Sequence, residues 1–185
     1  SQAASAVNWA RGVKLFSDYA EIGMFDGPSA LSRKLVFVPA LSGLGCPYWD
    51  RSAAGLWLGL GLDTTARDMM QALLEGIALR AGEVMAAMQE LSPVGHFVSI
   101  DGGLSRNAYF NKFLARVLNK TVLVQSSADL TALGTARLTM LGAGVRADDL
   151  PALPEPRAII EPVSPLTAED KEVFSKAVKR SREWK

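Results

Sequence analysis

The stretch Phe97-Val98-Ser99-Ile100-Asp101-Gly102-Gly103-Leu104-Ser105-Arg106-Asn107 holds the residue types best suited to meet a ligand. Its first four residues predict a short strand, and the two glycines a tight turn where backbone can approach a bound group, because no Cβ stands between. A helix starting near Asn107 would set its unpaired N–H groups beside that turn, which suits a polar or anionic ligand. Asp101 adjoins the glycines, but turn geometry accounts for an aspartate there better than proton transfer does. Other chemistry-bearing residues are sparse. A single cysteine, Cys46, excludes an internal disulfide and a cysteine-rich zinc site, and a single histidine, His96, leaves little for histidine catalysis or metal binding. Glu75 falls in a helical stretch and reads as a solvated residue or a structural partner. No cluster of acid, base and nucleophile is visible.

The 185 residues suit one folded domain with a real core, and an apolar content of 49% excludes a disordered chain. Twenty basic residues against 19 acidic ones leave a net charge of +1, so nothing electrostatic points to nucleic acid or a membrane surface. The sequence has no apolar run long enough for a transmembrane helix and no signal-peptide pattern at its start. It opens on Ser1 instead of a methionine and reads as a processed product or a piece of a longer protein.

Several elements must position the glycine turn. Residues 3–22 read as one helix with Trp9, Val13, Phe16 and Ala20 on its buried face. Leu35–Val38 predicts a buried strand. Residues 39–55 predict an ordered loop, and 56–62 a second strand. Thr65 to Leu91 predicts the longest helix, capped by Asp63 or Thr64, with its methionines in the core. Strand 97–100, helix 107–118 and strand 121–124 follow, then a small-residue helix over 131–141. Residues 144–166 carry five prolines and read as a wrapping segment, before a last helix opened by Thr167-x-x-Asp170. The order predicts an α/β fold with a mixed sheet flanked by helices, its ligand side beyond the carboxyl ends of the strands. Residues 1–150 form the body of one domain, and 151–185 the closing segment of the same domain.

Four stretches carry a family resemblance: Ala4-Ser5-Ala6-Val7-Asn8-Trp9, Gly43-Leu44-Gly45-Cys46-Pro47-Tyr48-Trp49-Asp50, Asp101-Gly102-Gly103 with Asn107, and Leu130-Thr131-Ala132-Leu133-Gly134-Thr135-Ala136. Together they resemble the C-terminal domain of the FGGY carbohydrate kinases, which share the ribonuclease-H-like fold of the actin-like ATPases. The Gly43–Asp50 loop and the tail around Lys176–Arg180 and Trp184 are most similar to the family's glycerol-phosphorylating members.

The resemblance implies an ATP-dependent, Mg²⁺-requiring polyol kinase of the cytoplasm, acting on glycerol or on a related substrate of the erythritol or xylulose type. It implies a nucleotide site made by Ala4, Asn8, Gly102, Gly103 and Asn107, with the amide of Asn8 one methylene shorter than the family's usual glutamine. A missing N-terminal domain would carry the polyol, the first phosphate-binding turn and the catalytic aspartate. The Leu130–Ala136 helix would lie at the hinge, and homo-oligomers are expected. No catalytic residue and no metal ligand are expected in this chain, which alone would be inactive. The competing reading is a non-catalytic domain that uses the same fold to bind a partner.

Overall fold

The computed structural model describes residues 2–126 and 155–185. The predicted helix over 131–141, the hinge stretch Leu130–Ala136 and the first part of the proline-rich segment lie outside the described residues.

Helix α1 runs Gln2–Gly12 and is shorter than the sequence predicts. Lys14 turns left-handed at φ 70, and the amides of Lys14 and Leu15 bond back to the carbonyls of Arg11 and Ala10. That pattern closes a helix. Asp18 then starts a separate 3-10 turn, Tyr19–Ile22, with a reciprocal cap in which Asp18 and Glu21 each bond the other's backbone end. The expected buried stripe is therefore corrected. Ala6, Val7 and Ala10 face the core and Phe16 is buried as expected, whereas Trp9, Val13 and Ala20 are exposed. Trp9 rests on Trp57 at 5.7 Å, and Trp57 on Phe37 at 4.3 Å.

Strands β1 (Val36–Val38) and β2 (Leu56–Leu58) pair antiparallel. The loop between them is ordered by a backbone bridge between Leu44 and Asp50. Helix α2, Ala66–Leu91, lies against β1. Its cap is Thr65, not Asp63 or Thr64: the Thr65 hydroxyl accepts from the Asp68 amide, and the Asp68 carboxylate from the Thr65 amide. Along Met70–Leu79 the helix is buried on every side. At Gly76 helix and strand touch backbone to backbone, since a Cβ there would lie 2.2 Å from the Phe37 carbonyl oxygen.

Strand β3 (Phe97–Ile100), helix α3 (Ala108–Leu118) and strand β4 (Thr121–Val124) form a parallel β-α-β unit. The sheet continues in β5, Ala158–Ile160, antiparallel to β4. This strand sits inside the segment expected to be plain loop. Among the described residues it is an edge strand of three residues, and β4 supplies the pairing that its own sequence does not announce. Helix α4, Ala168–Ser181, is capped by Thr167 as expected and buries Phe174, Ala177 and Val178. The fold is a mixed α/β arrangement of sheet and flanking helices, as the sequence predicts.

Candidate functional site: a cleft beyond strand β3

The carboxyl end of β3 leads into Gly102, whose φ of 88 and ψ of 179 belong to a region open to glycine alone. Gly103 is different. Its φ is not positive, and a Cβ there would meet nothing within 4 Å. Gly103–Arg106 then forms a 3-10 turn absent from the sequence reading. The Ser105 hydroxyl donates to the Gly102 carbonyl at 2.6 Å, and the Ser105 carbonyl accepts from Asn111 Nδ2 at 2.7 Å and from Arg157 at 2.9 Å. The turn is thus locked to α3 and to the residue before β5.

Facing it, α1 and the Tyr19–Met24 segment close a cleft of about 670 Å³. Four of the five expected site residues, Ala4, Asn8, Gly103 and Asn107, line this one cleft. Gly102 shapes the turn without lining it. Val7 and Ile22 make part of its apolar wall, and Tyr19 and Arg106 line it as well. Those last two were missed. Arg106 lies within the glycine motif itself, and the Asp18-x-x-Glu21 pattern marks the start of the turn that carries Tyr19.

Asn107 works in both directions. Its Oδ1 accepts from the Phe110 amide at 2.8 Å and caps α3, while its Nδ2 donates to the Ile22 carbonyl at 2.8 Å across the cleft floor. The Tyr109 amide donates to the Gly23 carbonyl at 3.1 Å, and the Asn111 amide to the Asn107 carbonyl. The expectation of a helix end rich in free N–H groups is therefore corrected. Three of the first four amides of α3 are taken up by the chain, and among the described residues only that of Ala108 has no partner. Each Asn107 amide atom keeps one further bonding direction. Asn8 Oδ1 accepts from the Tyr19 hydroxyl at 3.3 Å, which leaves its Nδ2 uncommitted among the described residues. The Arg106 guanidinium is exposed and makes no ion pair among the described residues.

The wall segment is held from behind. Arg67 of α2 donates to the carbonyls of Glu21 and Met24 and stacks over Phe25 at 4.4 Å. Deeper, Glu75 is fully buried. Burial pushes its carboxyl up from the ordinary range, against hydrogen bonds from the Tyr109 hydroxyl and the Leu31 and Ala30 amides. It is a structural partner and not a solvated residue. Among the described residues no three His, Cys, Asp or Glu side chains converge as metal ligands, and no helix is long and apolar enough to cross a membrane.

A mostly apolar cleft with a few polar groups at the carboxyl end of a β-α-β unit is the place where α/β domains receive ligands, and the mixed sheet with flanking helices matches the ribonuclease-H-like, actin-ATPase type. The sequence profile of the C-terminal domain of the FGGY family of carbohydrate kinases matches residues 8–143, and the chain belongs to that family. It is 35% identical to the glycerol kinase of Thermus brockianus, over 98% of this chain and 38% of that protein. It is 40% identical to the apulose kinase of Pectobacterium atrosepticum, over 68% of this chain and 26% of that protein. The crystal structure of Plasmodium falciparum glycerol kinase with ADP superposes with a TM-score of 0.74 at 26% identity, over 97% of this chain and 37% of that one. The chain therefore spans well under half the length of these relatives.

Proposed function

We propose that this chain is the nucleotide-binding part of an ATP-dependent polyol kinase, with glycerol as the acceptor, in a cytoplasmic enzyme. The observation that carries the reading is the convergence of Ala4, Asn8, Gly103 and Asn107 on one cleft. The cleft's chemistry fits a nucleoside. The exposed Tyr19 and Met24 offer an apolar surface for a flat base, Asn8 a free amide donor, and Gly103 close backbone approach. Arg106 supplies positive charge on the side where phosphates would lie. Bound ATP supplies the phosphoryl group passed to a terminal hydroxyl. This chain's residues bind and orient the nucleotide and help exclude water, a competing acceptor. The catalytic aspartate and the polyol site belong to a preceding domain. Magnesium would come with the nucleotide's phosphates, since among the described residues no three His, Cys, Asp or Glu side chains converge to hold it.

The chain's likeness to an apulose kinase favours a second acceptor class, a sugar or another polyol of the erythritol or xylulose type. Residues 1–150 are the body of the domain and 151–185 its closing segment, a division supported by β5 on β4 and by α4 against β1. Homo-oligomers fit this reading too.

The test is an NMR titration of the labelled protein with MgATP and MgADP. Shifts clustered on Gly102, Gly103, Asn107 and Asn8 are expected, at millimolar affinity. Shifts elsewhere, or none in a folded sample that also stays silent once the N-terminal domain is added, overturn the reading.

A further inference from the structure

Tyr109 lies behind the cleft, not in it, yet it touches both of the bodies that the cleft depends on. Its hydroxyl donates to Glu75 Oε2 at 2.6 Å and accepts from Gln71 Nε2 at 2.9 Å, both on α2. Its amide donates to the Gly23 carbonyl at 3.1 Å, and its ring meets Phe25 edge-on at 4.8 Å, both in the wall segment. Glu75 is itself immobilised. Its two oxygens accept from the Ala30 amide at 3.0 Å and the Leu31 amide at 2.8 Å, so the carboxyl is held by backbone as well as by the phenol. Gln71 is held in turn by Arg33 at 2.8 Å.

The Tyr109 hydroxyl is the third donor to a buried carboxyl and offsets part of its burial, but the bond also has a mechanical effect. It ties the first turn of α3 to α2. That turn grips the wall at Ile22 through Asn107, and at Gly23 through Tyr109.

We propose that Tyr109 is a positioning residue for the nucleotide: anchored on Glu75 and Gln71, it sets the position of the Ile22–Phe25 wall against the base. The functional half of this inference rests on the nucleotide reading above. The anchoring half does not.

Y109F keeps the ring, its Phe25 contact and the backbone amide, and removes only the link to α2. Val178→Ala, a truncation in the core of α4, is the control for lost stability alone. Two readouts are taken: amide hydrogen exchange over Ala20–Phe25, and MgADP affinity. Y109F is expected to speed exchange in that segment beyond the control and to weaken MgADP about fivefold, the size usual for coupling through packed networks. V178A should lower the melting temperature and leave MgADP affinity unchanged. Exchange in Y109F no faster than in V178A overturns the anchoring. Faster exchange with unchanged MgADP affinity overturns the positioning role. A wild-type protein that binds no MgADP even with the N-terminal domain added sinks the nucleotide reading and the functional half with it, while exchange still decides the anchoring.

Discussion

The side-chain amide of Asn107 donates to the Ile22 carbonyl at 2.8 Å, joining residues 85 positions apart across the floor of the cleft. The same side chain caps α3 through its oxygen. Asn107→Ala loses both functions and should cost about 2 kcal/mol, one part for the cap and one for the amide bond. Asn107→Ser keeps a capping oxygen and loses only the reach to Ile22, at about 1 kcal/mol. Thermal melts of the two variants should rank Ser above Ala. Both should weaken MgADP, because both release Ile22.

The two glycines of the turn should separate cleanly. Gly103→Val finds open space and an ordinary backbone conformation, so the melt should hold while its side chain fills the nucleotide's approach. Gly102→Val forces a side chain onto a φ of 88 and should lose roughly 1–3 kcal/mol. Circular dichroism melts beside MgADP titrations check the pair. Unchanged binding in a folded Gly103→Val protein would count against the cleft.

Arg106 should act on phosphate and not on base. Arg106→Ala is expected to weaken MgADP roughly tenfold, the size of a lost charge-assisted hydrogen bond, and to leave adenosine binding alone. Equal losses for both ligands would place Arg106 at the other end of the nucleotide.

The carboxyl of Asp50 is held below its ordinary value of 3.8, first by the Ser52 hydroxyl, then by the Glu183 amide. Arg182 adds an ion pair at 3.6 Å. For a lowered carboxyl, the stabilisation is complete above 3.8 and is lost as pH falls through the lower folded value. The tail should therefore stay clasped to the Asp50 loop through neutral and mildly acid solution, and let go only in stronger acid. Exchange of the Glu183 amide, followed downward in pH, reads this directly. Release already at pH 5 would contradict it.

Tyr48 behaves in the opposite sense. Burial, with the hydrogen bond to Glu83 and its charge, pushes the phenol from 10.0 up to about 12, against Arg80 and Arg182. The folded state prefers the neutral phenol, so this contribution is whole below pH 10 and drains away as pH climbs toward 12. The difference in phenolate absorbance between wild type and Y48F should titrate near 12. A difference curve centred at 10 would mean the phenol is not held as described.

Which parts of this were legible in the sequence follows from how local their causes are. The strand, glycine turn, helix and strand of 97–124 are written in periodicity and turn residues, and so are α2 and α4. The Thr167 cap was readable because its partner sits three residues away. Helix α1 was overrun because the Trp9–Val13–Phe16 spacing continues smoothly past Gly12, while the actual stop depends on Lys14 taking a left-handed conformation that glycine would have signalled. β5 exists through β4, and Glu75 is buried because Ala30 and Leu31 come to it from a distant turn. The cleft shows the same division. Its glycines and Asn107 stand in a motif. The turn that carries Tyr19 has its local mark in Asp18 and Glu21, but its place on the cleft, and the use of α3's amides to hold the opposite wall, are long-range facts.

One contact sets how such a domain can move. Packed layers slide past one another when side chains at their interface can change partners. At Gly76 no side chain intervenes, and helix α2 presses backbone against the Phe37 carbonyl. With backbone against backbone there is no side-chain rearrangement to absorb a relative shift, so β1 and α2 are expected to move as one body and any closing motion to fall on the segments around them.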